Sequence, residues 1–86
     1  MIETKIKIMK DLLVKILSCT DNEAEEIIKN SETYYWLCKK DYATLYESPQ
    51  ANLSSIGEEL RKKNNPLGLL VTDENIKICM KRAGSH

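Results

Sequence analysis

Four short segments of this chain have the composition of helix N-termini, and their positions limit how the chain can fold. A hydroxyl or carboxylate side chain at such a position accepts hydrogen bonds from the free N–H groups of the first turn. Acidic residues there face the positive end of the helix dipole, and proline in the first turn loses no hydrogen bond. The four segments are Thr20-Asp21-Asn22-Glu23, Ser31-Glu32, Ser48-Pro49 and Thr72-Asp73-Glu74.

Apolar residues at helical spacing predict a first helix over residues 2–19. Ile2, Ile6, Met9, Leu13 and Ile16 repeat at steps of four and three, so they share one face of a helix. Lysines occupy much of the remaining circumference. The pattern indicates an amphipathic helix that packs its apolar face into a core.

The same reasoning predicts three helices in the middle of the chain. Thr20 and Glu23 have the spacing of a capping box, in which each side chain bonds the other residue's backbone N–H. A short helix follows them, and two more are predicted over residues 32–47 and 49–63. Gly57 in the last of these favours close packing against a neighbour. The inward face of the helix over 32–47 is assigned to Tyr35, Cys38, Tyr42 and Leu45. We expect the core to form between the first helix, the third helix and the last segment.

Residues 67–83 fit two structures. Ile76, Ile78 and Met80 alternate with other residues, which is typical of a β-hairpin that turns near residues 73–75. A helix is favoured by Thr72 as a cap, by acidic residues after it and by basic residues near its end. More independent signals agree on the helix. The predicted fold is therefore all-α, a compact bundle of four to five short helices in a single domain over residues 1–86, with a short C-terminal β-hairpin as the alternative to the last helix.

Charge and cysteine content limit the kinds of site that the chain can carry. Its 13 basic residues balance 13 acidic ones, and a neutral total argues against tight nonspecific nucleic-acid binding, which depends on many phosphate contacts. The spacings of Cys19, Cys38 and Cys79 fit no zinc motif. Because each lies among apolar residues, we expect three buried, reduced thiols, which favours an intracellular, reducing compartment.

No pattern in the sequence predicts catalysis or membrane insertion. The single histidine is His86, so the chain has no internal histidine to act as a general base, and its scattered glycines form no phosphate-binding loop. No apolar run approaches the roughly 18 residues that span a bilayer, and the first residues do not resemble a secretory signal. We expect a cytoplasmic protein that is not an enzyme and uses no cofactor, metal or membrane.

The three consecutive aromatic residues Tyr34, Tyr35 and Trp36 are the most unusual local composition of the chain. Three adjacent positions cover about 200–300° of a helix, so at least one ring must point away from the core. In one interpretation two rings pack and the third lies along the surface. In the other the trio forms a protein-binding patch, because tyrosine and tryptophan are enriched in interface hot spots.

A nucleic-acid interpretation also fits part of the chain. The third helix, the break at Ser48-Pro49 and the fourth helix have the order of a helix-turn-helix, and residues 53–63 resemble helices of bacterial repressors. Against this, Glu58 and Glu59 lie where a recognition helix would meet phosphates, and base contacts usually come from its N-terminal half. The basic residues available to bind DNA are Arg61, Lys62, Lys63, Lys77, Lys81 and Arg82.

Residues 20–60 contain three motifs in a recognisable order. They are Thr20-Asp21-Asn22-Glu23, a Tyr-rich helix with Asp41-Tyr42 and Leu45-Tyr46, and an apolar-acidic helix from Ile56 to Leu60. This part of the chain resembles a family of short, uncharacterised bacterial helical proteins, some of which are thought to be encoded beside toxin-like enzymes. The resemblance covers about half of the chain and implies no catalytic residue.

Two functions follow as expectations. The first is a small non-catalytic interaction protein that binds and modulates a protein partner, or associates with itself, in the manner of an antitoxin, immunity or accessory factor. The second is a helix-turn-helix DNA-binding transcriptional regulator. An outward aromatic ring near Trp36 favours the first, and a basic face over residues 61–82 favours the second.

Overall fold

Capping side chains begin most of the helices of the computed structural model, which describes residues 2–84. These described residues form six α-helices: α1 (Ile2–Leu17), α2 (Asp21–Lys29), α3 (Glu32–Cys38), α4 (Tyr42–Tyr46), α5 (Pro49–Lys62) and α6 (Asp73–Gly84). A 3₁₀ turn at Pro66–Leu69 joins α5 to α6. The described residues are about 80% helical and contain no strand, so the predicted all-α class is confirmed.

All four predicted helix starts are confirmed by hydrogen bonds. Thr20 and Glu23 form the full capping box at the start of α2. The hydroxyl oxygens of Ser31, Ser48 and Thr72 each accept a hydrogen bond from the backbone N–H three residues further on, at 3.0–3.2 Å. Residues 73–84 form α6, so the alternative of a hairpin in this segment is wrong.

The predicted helix over residues 32–47 is instead two helices, which raises the helix count above the expected four to five. Lys40 has a φ of +58°, a left-handed conformation that ends α3. The N–H of Lys40 donates to the carbonyl of Leu37, and the N–H of Asp41 donates to the carbonyl of Trp36, which is the Schellman arrangement. Asp41 then caps α4 by accepting from the N–H and hydroxyl of Thr44 at 3.1 and 2.8 Å.

The core lies between α1, α2, α5 and the start of α6. Its buried residues are Met9, Leu12, Leu13, Ala24, Ile28, Leu53, Ile56, Val71 and Ile76. The expectation that the third helix would supply a main part of the core is wrong. Helix α3 adds only the partly buried Tyr34 to this cluster, and its buried Leu37 lies outside it. The helix that takes this place is α5, which packs against α1, α3, α6 and the 3₁₀ turn.

Gly57 explains how closely the last segment approaches α5. A Cβ atom at this position would lie 2.1 Å from the carbonyl oxygen of Val71, far inside van der Waals contact. The predicted close packing at Gly57 is confirmed. Within the described residues, no helix is long and apolar enough to cross a bilayer.

Candidate functional site

The aromatic trio divides between the core and the surface. The ring of Tyr34 packs against the core cluster, whereas Tyr35 and Trp36 remain 53% and 47% exposed. The prediction of at least one outward ring is confirmed, and the structure has two. These two rings meet edge to face, with centroids 5.1 Å apart and planes at 85°.

A second exposed pair lies on α4. Tyr42 and Tyr46 are each 74% exposed, and their ring centroids are 4.4 Å apart. Assigning Tyr35 and Tyr42 to the inward face was wrong. On α3 the buried positions are Thr33 and Leu37, which leaves Tyr35 exposed, and the break at Lys40 gives α4 its own orientation. The spacing of four residues between Tyr42 and Tyr46, directly after the cap Asp41, was the sequence signal for this pair. Because α3 and α4 contact each other, the two pairs are taken together, and Tyr35, Trp36, Tyr42 and Tyr46 are called the aromatic surface below.

Helix α3 is held in place by a side chain from α5. The carboxylate of Glu59 accepts hydrogen bonds from the backbone N–H groups of Glu32 and Thr33 at 2.7 and 3.1 Å and from the Thr33 hydroxyl at 2.6 Å. A carboxylate at this position also faces the positive end of the α3 dipole. The first turn of α3 is therefore fixed to α5 by three hydrogen bonds.

Helix α4 is held by a lysine from α1. The Lys5 side chain is buried, and its ammonium donates to the carbonyl oxygens of Thr44 and Leu45, both at 2.9 Å. Burial lowers the pKa of Lys5, and the negative charge of Glu47 acts in the opposite direction. The side-chain amide of Asn52 also donates to Thr44, at 3.3 Å. Because α4 has no buried residue of its own, these polar contacts fix its position.

Two lysines lie in the connection between the two aromatic pairs. The ammonium of Lys39 lies 5.6 Å from the centroid of the Tyr35 ring, within the range of a cation–π contact. Both Lys39 and Lys40 are exposed. The candidate site thus combines four exposed rings with two exposed cations on one chain segment.

The basic residues proposed for DNA contact have different environments. Arg61 donates from one guanidinium nitrogen to the carbonyls of Gly68 and Val71, at 2.8 and 2.9 Å, so it ties the 3₁₀ segment to α5. Glu59, which in a helix-turn-helix would stand where the recognition helix meets phosphates, caps α3. All six of these basic residues, Arg61 included, are exposed: Arg61, Lys62, Lys63, Lys77, Lys81 and Arg82.

The three cysteines are unpaired, and one of them is not where the sequence predicted. Cys38 is exposed on α3, while Cys19 and Cys79 are partly buried against the core. A hydrogen bond with Cys38 raises the pKa of the Tyr34 phenol. Burial raises the pKa of the Cys19 thiol, and the carboxylates of Glu23 and Asp21 add to this effect.

Among the described residues, no group of three or more His, Cys, Asp or Glu side chains is arranged to hold a metal ion. His86 lies outside the described residues. Comparisons with protein-family models, curated proteins and solved structures find no match to this chain. The resemblance of residues 20–60 to short bacterial helical proteins therefore stays a prediction.

Proposed function

We propose that this chain is a non-catalytic interaction protein that binds and modulates a protein partner through its aromatic surface. The observation that carries the proposal is the use of aromatic residues. The chain has five, and four of them are about half or more exposed on two consecutive short helices. Tyrosine and tryptophan are enriched in the residues that dominate protein interfaces. Partner binding is therefore the simplest explanation for the exposure of these four rings.

The anchoring of α3 and α4 supports the same proposal. Short helices with few buried residues gain little from hydrophobic burial, yet Glu59 and Lys5 tie both of them to the longer helices. A binding surface that is rigid before contact loses less conformational entropy on association. These polar contacts therefore serve affinity as well as folding.

The helix-turn-helix alternative has less support. A recognition helix must present its N-terminal half to the major groove, but residues 49–57 on α5 are all buried or partly buried. In that half, the Ser54 hydroxyl is hydrogen-bonded to Asp73. We therefore propose protein binding over DNA binding, in the manner of an antitoxin, immunity or accessory factor. Three unpaired cysteines fit a reducing compartment, and we propose the cytoplasm.

The test compares variants of the full chain as baits in lysate of the native host, with quantitative mass spectrometry of the captured proteins. Trp36→Ala should reduce capture of the specific partner by about 30-fold, the equivalent of a hot-spot loss near 2 kcal/mol. Leu69→Ala is the matched control, because Leu69 is also an exposed apolar residue, at 74%, and lies outside the aromatic surface. Circular dichroism must show that each variant folds.

The DNA alternative predicts the opposite ranking. Replacing Lys62 and Lys63 together with alanine should then abolish function more completely than Trp36→Ala. Binding of DNA in a gel-shift assay should also weaken steeply with added salt. That pair of results would overturn the proposal.

A further inference from the structure

The connection between the two aromatic pairs contains two lysines and one aspartate, and the aspartate is already hydrogen-bonded. Lys39 and Lys40 are exposed, and neither forms an ion pair within residues 2–84. Asp41, the acidic residue of the connection, accepts two hydrogen bonds from Thr44 at the N-terminus of α4. The outward charge of this segment is therefore positive.

Lys40 occupies a backbone position that favours glycine. Its φ of +58° lies in the left-handed region, where a side chain with a Cβ costs stability and where helix C-termini usually have glycine or asparagine. Asn64 has the same φ at the equivalent position after α5, and it follows that preference. At residue 40 the chain has a lysine instead, so a long cationic side chain is present between the aromatic pairs at a cost in stability.

We infer that the partner contacts the aromatic surface with an acidic segment, whose carboxylates pair with Lys39 and Lys40 while its apolar side chains pack on the exposed rings. This inference rests on the proposed function and adds the chemistry of the partner. Charge complementarity of this kind steers association and fixes the register of an interface. Lys39 sits over the Tyr35 ring, which places a cation directly beside an apolar contact.

Two other occupants fit less well. Single-stranded nucleic acid needs open ring faces for base stacking and a continuous cationic groove, whereas Tyr42 and Tyr46 cover part of each other and Lys39 lies over Tyr35. A second copy of the chain could offer the acidic helix α2, but this contact joins two different surfaces. A two-fold dimer would have to form this contact twice, with α2 of each copy on the aromatic surface of the other, and a single contact of this kind extends into rings or filaments.

The experiment pans a displayed library of random 12-residue peptides against the full chain, with depletion on Trp36→Ala to select peptides that need the aromatic surface. We expect the selected peptides to be enriched in aspartate and glutamate beside apolar residues. Affinities of synthetic copies are then measured for Lys39→Gln, Lys40→Gly and Asn64→Gly. Lys40→Gly should bind about three- to fivefold more weakly, the size of a partly exposed ion pair.

Lys40→Gly separates binding from stability, because glycine relieves the left-handed backbone. Its midpoint of thermal unfolding should rise by a few degrees while affinity falls. Asn64→Gly makes the same backbone change after α5 and should leave peptide affinity unchanged. A loss of affinity in a variant that is at least as stable as the original chain supports the inference.

Each remaining result contradicts a specific part. Selected peptides without acidic enrichment, or with equal affinity for Lys40→Gly, overturn the acidic partner and leave the proposed function standing. A failure to recover any peptide that depends on Trp36 overturns both. If a 12-nucleotide oligouridine binds more tightly than any peptide, and this binding depends on Trp36, the surface is assigned to nucleic acid. Trp36-dependent self-association in sedimentation equilibrium assigns it to a second copy.

Discussion

The ammonium of Lys5 donates a 2.9 Å hydrogen bond to the backbone carbonyl of Thr44, 39 residues further along the chain. The contact joins the first turns of α1 to the C-terminal half of α4, where helix carbonyls lack partners inside their own helix. A cation there also faces the negative end of the dipole. One lysine thus fixes a helix that has no buried residue of its own.

Replacing Lys5 with methionine should lower the free energy of unfolding by about 2 kcal/mol. The apolar stem is kept, but two carbonyl groups lose a charged donor. Urea denaturation measures the loss. The amides of Leu45 and Glu47 are hydrogen-bonded at α4. Faster hydrogen exchange of these amides in the variant would show that the loss of stability lies in α4.

The matched control for this change is Lys7→Met, because Lys7 lies on the same helix and is exposed. It should change the free energy of unfolding by less than about 0.5 kcal/mol. Equal losses for the two variants would contradict an anchoring role for Lys5.

Replacing Glu59 with alanine should destabilise the chain by about 1–2 kcal/mol, because two backbone N–H groups and a hydroxyl lose their acceptor. Glu58→Ala is the control, since Glu58 is the adjacent, exposed residue. Chemical denaturation gives the free energies, and the Trp36 emission reports the local change at α3. If Glu58→Ala lowers the free energy of unfolding as much as Glu59→Ala does, Glu59 does not act as a cap.

Gly57→Ala tests the close approach of the last segment to α5. Alanine is the better helix former by about 1 kcal/mol, but its Cβ would collide with the carbonyl oxygen of Val71. We expect a net destabilisation of about 2–3 kcal/mol from overpacking. Ser55→Ala on the same helix has no such collision and should be close to neutral. Thermal unfolding distinguishes the two, and a Gly57 variant of unchanged or increased stability would contradict the packing.

The sequence predicts those parts of this fold that depend on neighbours along the chain. Each cap needs a side chain and an N–H group within three residues, as Ser31 and Tyr34 illustrate, so the helix starts could be located from sequence. The contacts of Lys5 and Glu59 join residues 26–40 positions apart, and no local pattern reveals them.

The sequence predicted the α3 half of the candidate site and missed the α4 half, because the break at Lys40 has no signal in the sequence. Lys40 ends α3 in a left-handed conformation, but no glycine, asparagine or proline marks that position in the sequence. A continuous helix over residues 32–47 therefore looked consistent and placed Tyr42 toward the core. Tyr35 and Trp36 could be recognised as candidates because adjacent positions on a helix cannot all face inward.

The reactivity of the cysteines should differ, with Cys38 labelled first. An exposed thiol reacts through its thiolate, and Cys38 is exposed on α3. Cys19 should react slowest, because burial and nearby carboxylates raise the pKa of its thiol and because it packs against the core.

Iodoacetamide labelling of the folded chain, followed by peptide mass spectrometry, measures the three rates. Labelling in urea is the control, where the rates should become similar. If Cys38 in the folded chain reacts as slowly as Cys19, α3 does not present Cys38 and the orientation of the aromatic surface is wrong.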